Sequence, residues 1–354
     1  MTKKLSLLLL LALIISCIGC AAENESPANF IRNEGTVVIL ATGGTIAGSG
    51  EAGKETGYKS GSLSVESLIE AVPGIEDIAN IEAIQICNVN SDDITDSIWL
   101  TLANTINDLA KDDRVIGFVI THGTDTLEET AYFLNLVVKT DKPVVLTGSM
   151  RPATAISADG PMNLYQSVCV AANPRAKGKG VMAVFSDKIY AARTVSKNST
   201  YDVMAISAGE TGSIGIVRNH EVFFYEEPLK KHTVQSEFDI TGVEKLPAVN
   251  ICYFSVDADP RILKYAASVS DGLIIAGAGA GEFSEAFIDV IKDIKIPVVI
   301  SSRIDDGLIT QDAVLCENTV AANNLSPQKA SILLRLSLLN SPDHDDLIRV
   351  FSEY

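Results

Sequence analysis

The sequence predicts an α/β protein of two domains with mainly parallel sheets flanked by helices, the N-terminal domain larger and the C-terminal domain smaller. Three observations lead there. Short runs rich in β-branched apolar residues alternate with segments of helical period. The runs are apolar throughout, as strands covered by helices on both faces must be. Several of them end in Gly, Thr, Ser or Asp. Ligands bind in α/β folds at such carboxyl ends of strands.

Taken in order, the first residues are an address. Lys3 and Lys4 precede an apolar stretch, 5–15, that is too short to span a bilayer as a helix. Ile14-Ile15-Ser16-Cys17 fits a lipoprotein signal with Cys17 as the lipidated residue. Cys17-Ile18-Gly19-Cys20 fits less well, and Cys20-Ala21-Ala22 offers an ordinary secretory cleavage site instead. Residues 1–16 are thus expected to be a signal peptide and 17–34 a tether. The expected location is the periplasm or, through the lipid alone, the membrane surface.

The N-terminal domain is expected over 35–225. Residues 36–41 are its first strand, running into Thr42-Gly43-Gly44-Thr45-Ile46-Ala47-Gly48. A stretch dense in Gly follows, with Tyr58 its only aromatic. It reads as a surface loop or as a lid hinged by its glycines. Residues 63–72 suit a helix, and 84–89 a strand that ends in Asn90-Ser91-Asp92-Asp93. A helix over 99–109 precedes the central strand, 115–120. That strand leads into Thr121-His122-Gly123-Thr124-Asp125-Thr126, after which Leu127, Ala131, Leu134 and Val138 recur at helical spacing. Strands over 143–146 and 180–185 follow, with a capped helix over 159–172 between them. Residues 192–201 are polar, with Arg193 and Lys197. The charged stretch 226–247 reads as a linker. Over 248–354 strands at 249–254, 272–276 and 297–301 alternate with helices at 260–267, 285–291, 327–339 and 343–351.

The chain carries a formal net charge of −17, and the signal holds two Lys and no acid, so the remainder is more negative still. That disfavours nucleic acid and anionic membrane surfaces as partners. Beyond the signal lie Cys87, Cys169, Cys252 and Cys316, none at metal-ligand spacing, and the four His are scattered. No metal and no cofactor is expected, and the cysteines read as buried free thiols.

The two polar turns carry the chemistry. Thr42 to Gly48 is not a dinucleotide fingerprint, because Thr45 stands where the second Gly belongs. Gly43 to Ser49 frames a P-loop but has Ser49 where its Lys is required. What remains is a threonine hydroxyl on a tight turn beside backbone N–H groups, suited to a nucleophile with an oxyanion site. On the second turn, Asp125-x-x-Glu128 and Thr126-x-x-Glu129 also fit capping boxes, so helix capping is an even alternative there. A Ser-His-Asp arrangement through His122 is weak, since no G-x-S-x-G elbow accompanies it.

Thr42-Gly43-Gly44-Thr45-Ile46-Ala47-Gly48 and His122-Gly123-Thr124-Asp125-Thr126 together resemble the asparaginase/glutaminase family. The resemblance extends from about Thr36 over nearly the whole chain, through Met150-Arg151-Pro152, Ser157-Ala158-Asp159-Gly160-Pro161, Ser301-Ser302-Arg303, Thr310-Gln311-Asp312-Ala313 and Pro327-Gln328-Lys329-Ala330. It implies hydrolysis of L-asparagine to L-aspartate and ammonia by double displacement. Thr45 would be the nucleophile, with Tyr58 of the lid assisting it, and Thr124, Asp125 and Lys197 would form a second catalytic set. Ser91 and Asp92 would bind the substrate's α-carboxylate and α-amino groups, with Thr124 and Asp125 beside them. The resemblance also implies a homotetramer built from dimers, with Glu282 reaching a neighbouring subunit's site.

Three positions depart from the family pattern. Asp92 stands where members commonly carry Gln or Glu, Glu282 where they carry Asn or Ser, and Val314 where some place a Glu behind the lid tyrosine. Two other functions are weighed: a glutaminase-asparaginase using the same residues, and a lipoprotein solute-binding protein for amino acids. In the latter Thr45 and Thr124 would serve only as hydroxyl ligands.

Overall fold

The computed structural model describes residues 32–51 and 59–354. The signal with Cys17 and Cys20, most of the 17–34 tether, and Tyr58 lie outside them. The apolar runs become strands β1 (Thr36–Gly43), β2 (Asn80–Val89), β3 (Val115–Thr121), β4 (Val144–Thr147) and β5 (Val181–Phe185). Then come β6 (Lys188–Ala191), the short pair β7 (Ser196–Lys197) and β8 (Ile206–Ser207), and the hairpin β9 (Gly215–Arg218) and β10 (Glu221–Phe224). Among the described residues β1–β6, β9 and β10 form one eight-stranded sheet in the order β10-β9-β6-β5-β4-β3-β1-β2. The β2-β1-β3-β4-β5 part is parallel.

The antiparallel part, β6, β9 and β10, was not expected from the sequence. Its hairpins turn on Ser186-Asp187 and Asn219-His220, all four residues with φ between 47° and 68°. Two successive left-handed residues match the twist of a tight hairpin. Lacking glycine, these pairs give little turn signal in the sequence.

β11 (Val249–Tyr253), β12 (Gly272–Gly277), β13 (Val298–Ser302) and β14 (Thr319–Ala321) make a second, wholly parallel sheet in sequential order. The fold is therefore the expected two-domain α/β arrangement, with the larger sheet first. Asn33–Tyr354 pack as one compact unit.

Strand order decides where a ligand fits. The chain leaves β1 for β2 on one side and returns to β3 on the other. The crevice beyond the carboxyl ends of β1 and β3 is thus a topological switch point, the usual ligand position in such sheets. The C-terminal sheet, ordered sequentially, has no reversal of this kind.

The helix Leu127–Val137 leaves that crevice. It was expected to be amphipathic, yet Leu127, Glu128 and all of Thr130–Val137 are buried. It packs against the C-terminal-domain helix Pro327–Ser337, so Tyr132, Phe133 and Leu134 share one core with Leu333, Leu334 and Leu336. Each such fully buried side chain contributes about 1.5–3 kcal/mol relative to exposure. This core holds the second polar turn rigidly against the other domain.

One local expectation is corrected. Asp159 precedes the helix Gly160–Ala171 without capping it. Its carboxylate accepts instead from the N–H groups of Met150 and Arg151. Within 226–247 no α-helix or strand forms, but Phe238, Ile240 and Leu246 are buried in the core. Cys87, Cys169, Cys252 and Cys316 are all unpaired, three of them buried and Cys87 half-buried. Among the described residues no helix is long and apolar enough to cross a membrane.

Candidate active site

Three strand ends meet at the switch point through glycine contacts. After β1, Gly43 and Gly44 take φ of 107° and 78°, a conformation that excludes ordinary side chains. A Cβ on Gly44 would lie 2.3 Å from the Gly123 nitrogen, and one on Gly123 would lie 2.8 Å from the Ser91 Oγ. The turns after β1 and β3 therefore touch backbone to backbone, and the Ser91 side chain from the turn after β2 packs on Gly123. Hydrogen bonds tie them further: Thr42 Oγ1 donates to the Thr121 carbonyl at 2.9 Å, and Thr126 Oγ1 to the Ser91 carbonyl at 2.6 Å.

A cavity of ≈ 700 Å³ opens over this junction, and Thr45, Ser91, Asp92, Thr124 and Asp125 all line it. Thr45 begins a single 3₁₀ turn, Thr45–Ala47, and is half-buried. Ser91 is buried and Asp92 exposed at the end of β2. Residues that the sequence reading missed also line the wall: Lys59, Ser60, Asn88 and Asp93. Lys59 arrives because Ser49 and Lys59 exchange backbone hydrogen bonds of 3.1 and 2.9 Å, closing the glycine-rich loop at its base.

Lys197 comes from β7, 72 positions along the chain from Asp125. Its Nζ donates to Thr124 Oγ1 at 2.9 Å and to Asp125 Oδ1 at 2.6 Å. The lysine side chain is 16% exposed and the aspartate 70%, so the ion pair sits at the edge of the cavity with its cationic end sheltered. The arrangement also settles the capping alternative. Thr126, at the N-cap of Leu127–Val137, makes no side-chain capping bond. Thr126 binds Ser91, Asp125 binds Lys197, and the buried Glu128 carboxylate accepts from the Lys197 backbone N–H at 2.9 Å.

The strand bearing Lys197 is fixed from the other domain as well. Lys329 is buried, and its Nζ donates to the carbonyls of Arg193 (3.1 Å) and Val195. Burial lowers the Lys329 pKa to about 8 against the pull of the Glu128 carboxylate.

His122 does not serve as a base in this cavity. It is fully buried, with Nδ1 2.7 Å from the Gly123 carbonyl and Nε2 2.9 Å from Thr130 Oγ1. Burial lowers its pKa to about 4. Tyr58 lies outside the described residues. Glu282 is exposed on the turn bridged by Ala278 and Glu282 after β12, and it is not among the residues lining this cavity. Val314 is half-buried against the C-terminal-domain core. Among the described residues no group of His, Cys, Asp and Glu is placed to hold a metal ion.

The site thus offers two threonine hydroxyls, one of them hydrogen-bonded to a sheltered lysine, and carboxylates that suit a substrate ammonium. Residues 36–230 match the family model "Asparaginase, N-terminal", and 248–351 match "Glutaminase/Asparaginase C-terminal domain". The chain is 42% identical to L-asparaginase 2 of Bacillus subtilis over the full length of both chains. It is 41% identical to a glutaminase-asparaginase of Acinetobacter glutaminasificans, over 90% of this chain and 99% of that one. A crystal structure of a probable cytoplasmic L-asparaginase from Campylobacter jejuni superposes with a TM-score of 0.86 at 42% identity, covering 91% of this chain and all of that one.

Proposed function

Since the chain belongs to the asparaginase family, we propose that it works by double displacement, with Thr45 as the nucleophile. The protein is an asparaginase, an amidohydrolase that converts L-asparagine to L-aspartate and ammonia. The observation that carries the mechanistic reading is the Lys197–Thr124–Asp125 set at the wall that Thr45 shares.

Thr45 Oγ attacks the side-chain amide carbon, the C–N bond breaks, and the Thr45 proton leaves with the ammonia. Water then attacks the resulting ester, releases aspartate and returns a proton to Thr45. A threonine hydroxyl ionises far above neutral pH and needs a base. Lys197 is the candidate base, linked to Thr124 and Asp125 as the second set. Ser91 and Asp92 hold the substrate's α-carboxylate and α-amino groups, with Asp125 also on the amino group. Tyr58, which precedes Lys59 in the chain, assists Thr45. A solute-binding role would need none of these proton-handling groups.

Lipidation at Cys17 and export are supported by the amino-terminal sequence alone. A homotetramer with Glu282 offered to a neighbour is consistent with that residue's exposure far along the chain from the cavity-lining turns.

Asparagine is the preferred amide, with glutamine hydrolysed more weakly. The two differ by one methylene, worth only about 1–3 kcal/mol in a pocket. Preference therefore rests on how firmly the α-groups are held, which positions the amide against Thr45. Ammonia release from asparagine and glutamine by the purified protein tests this. A higher kcat/KM for asparagine is expected; equal or faster glutamine hydrolysis would make it a glutaminase-asparaginase.

A further inference from the structure

Behind the second polar turn runs a buried chain of hydrogen bonds that the mechanism above does not use. Trp99, on the helix Asp96–Leu109, donates its indole N–H to Thr130 Oγ1 at 2.8 Å. Thr130 Oγ1 lies 2.9 Å from His122 Nε2, and His122 Nδ1 lies 2.7 Å from the Gly123 carbonyl. His122 and Thr130 are fully buried, and Trp99 is buried and stacked on Phe133 at 4.9 Å.

The direction of the bonds follows from the Gly123 end. A backbone carbonyl can only accept, so His122 Nδ1–H donates to it. A neutral imidazole carries one hydrogen, so Nε2 is unprotonated and accepts the Thr130 hydrogen. The Thr130 oxygen in turn accepts from the Trp99 indole, which can only donate. Burial, which keeps the ring neutral with its pKa near 4, preserves this order across the working pH range.

The Gly123 carbonyl belongs to the peptide whose N–H is that of Thr124. In a planar trans peptide these two groups point in opposite directions. With the carbonyl held on the buried side by His122, the Thr124 N–H faces the other way, and Gly123 and Thr124 line the cavity. No acceptor for the Thr124 N–H is present among the described residues. Glycine restrains its own peptide plane least of all residues, so this plane needs an external hold.

We propose that His122 is a positioning residue for the amide hydrolysis: donating from Nδ1 and backed at Nε2 by Thr130 and Trp99, it fixes the Gly123–Thr124 peptide so that the Thr124 N–H stabilises the oxyanion. This rests on the asparaginase reading, since an oxyanion forms only if an amide carbon is attacked.

The test uses His122→Asn, His122→Gln and Thr130→Val in the full chain, with ammonia release from asparagine as the readout. The Asn amide nitrogen falls near the imidazole Nδ1 and can still donate to the Gly123 carbonyl; the Gln amide falls near Nε2 and cannot. An oriented oxyanion donor is worth about 10²–10³-fold in kcat and acts only in the transition state. His122→Gln is therefore expected to lose about that much in kcat with KM nearly unchanged. His122→Asn should recover most of the loss. Thr130→Val, which removes the hydrogen bond that backs the ring at Nε2 but keeps the ring, should lower kcat without raising KM. Equal losses in the Asn and Gln variants, or a loss expressed in KM, would overturn the proposal. Should both His122 variants fail to fold, Thr130→Val decides, and a wild-type kcat there refutes it. A wild-type protein that releases no ammonia from asparagine would instead overturn the function on which the proposal rests.

Discussion

Two ionisable side chains beside the second turn, His122 and Glu129, are held away from their usual protonation in opposite senses. His122 has its pKa lowered to about 4 by burial, and Glu129 has its pKa raised to about 7 by burial and by the neighbouring Glu128 carboxylate. The native state resists protonating His122, so that residue costs stability progressively as pH falls from about 6.5 to about 4, up to roughly 3 kcal/mol. The native state favours protonated Glu129, so Glu129 adds stability as pH falls from about 7 to its unfolded value of about 4.5. The two slopes oppose each other over most of that window. Glu129→Gln removes one of them. The variant should be more stable than wild type at pH 8, and the advantage should shrink as pH falls toward 5. Denaturant midpoints measured across that range check the sign; a variant less stable at pH 8 would show that Glu129 is not strained there. None of this was legible in the sequence. Glu128 and Glu129 read equally well as capping residues, and His122 as a poor candidate base. Glu128 and Glu129 lie on the helix that packs against Pro327–Ser337, which arrives some two hundred residues later.

At the scale of the element, the strand ends carry the design. Each of β1, β2 and β3 ends in a turn of small polar residues, and the three turns meet because Gly44 and Gly123 have no side chains. The Gly44→Ala substitution introduces both a clash with the Gly123 backbone and a side chain at φ 78°. It should destabilise the protein by about 2 kcal/mol or more and depress activity further than stability explains, because it separates the Thr45 and Thr124 turns. Urea melts and ammonia release on the same sample check this, and a fully active variant would mean the turns need not touch. The central strands and these turns were legible because unbroken apolar runs end abruptly in Gly and Thr. The strands β6, β9 and β10 were not, since they are four residues each and turn on Ser186-Asp187 and Asn219-His220 rather than on glycine. The Ser196–Lys197 strand is shorter still, and only family resemblance marked Lys197.

Across the whole molecule, the site belongs to the N-terminal domain but is braced by the C-terminal one. Lys329 crosses from the helix Pro327–Ser337 to the carbonyls of Arg193 and Val195, just before Lys197 in the chain. A buried ammonium held by backbone carbonyls and facing Glu128 leaves that carboxylate uncompensated when it is removed. Lys329→Met is expected to cost about 3 kcal/mol of stability and to lower kcat more than it raises KM, since it loosens the strand that places the Lys197 ammonium. Thermal melting and steady-state kinetics separate the two effects, and an unchanged kcat in a folded variant would show that the brace is not needed for catalysis. The domain pair itself was legible from the alternation of strands and helices; the brace was not, because nothing local distinguishes Lys329 from a solvated lysine at a helix start.

The central claim is that Thr45, not Thr124, is the attacking group. Ammonia release from asparagine by Thr45→Ala tests it most directly, with the melting temperature recorded on the same preparation. A small half-buried hydroxyl contributes little to stability, so the fold should persist. The expected result is a folded protein that still binds asparagine and has lost turnover. A folded Thr45→Ala protein with near wild-type turnover would contradict it.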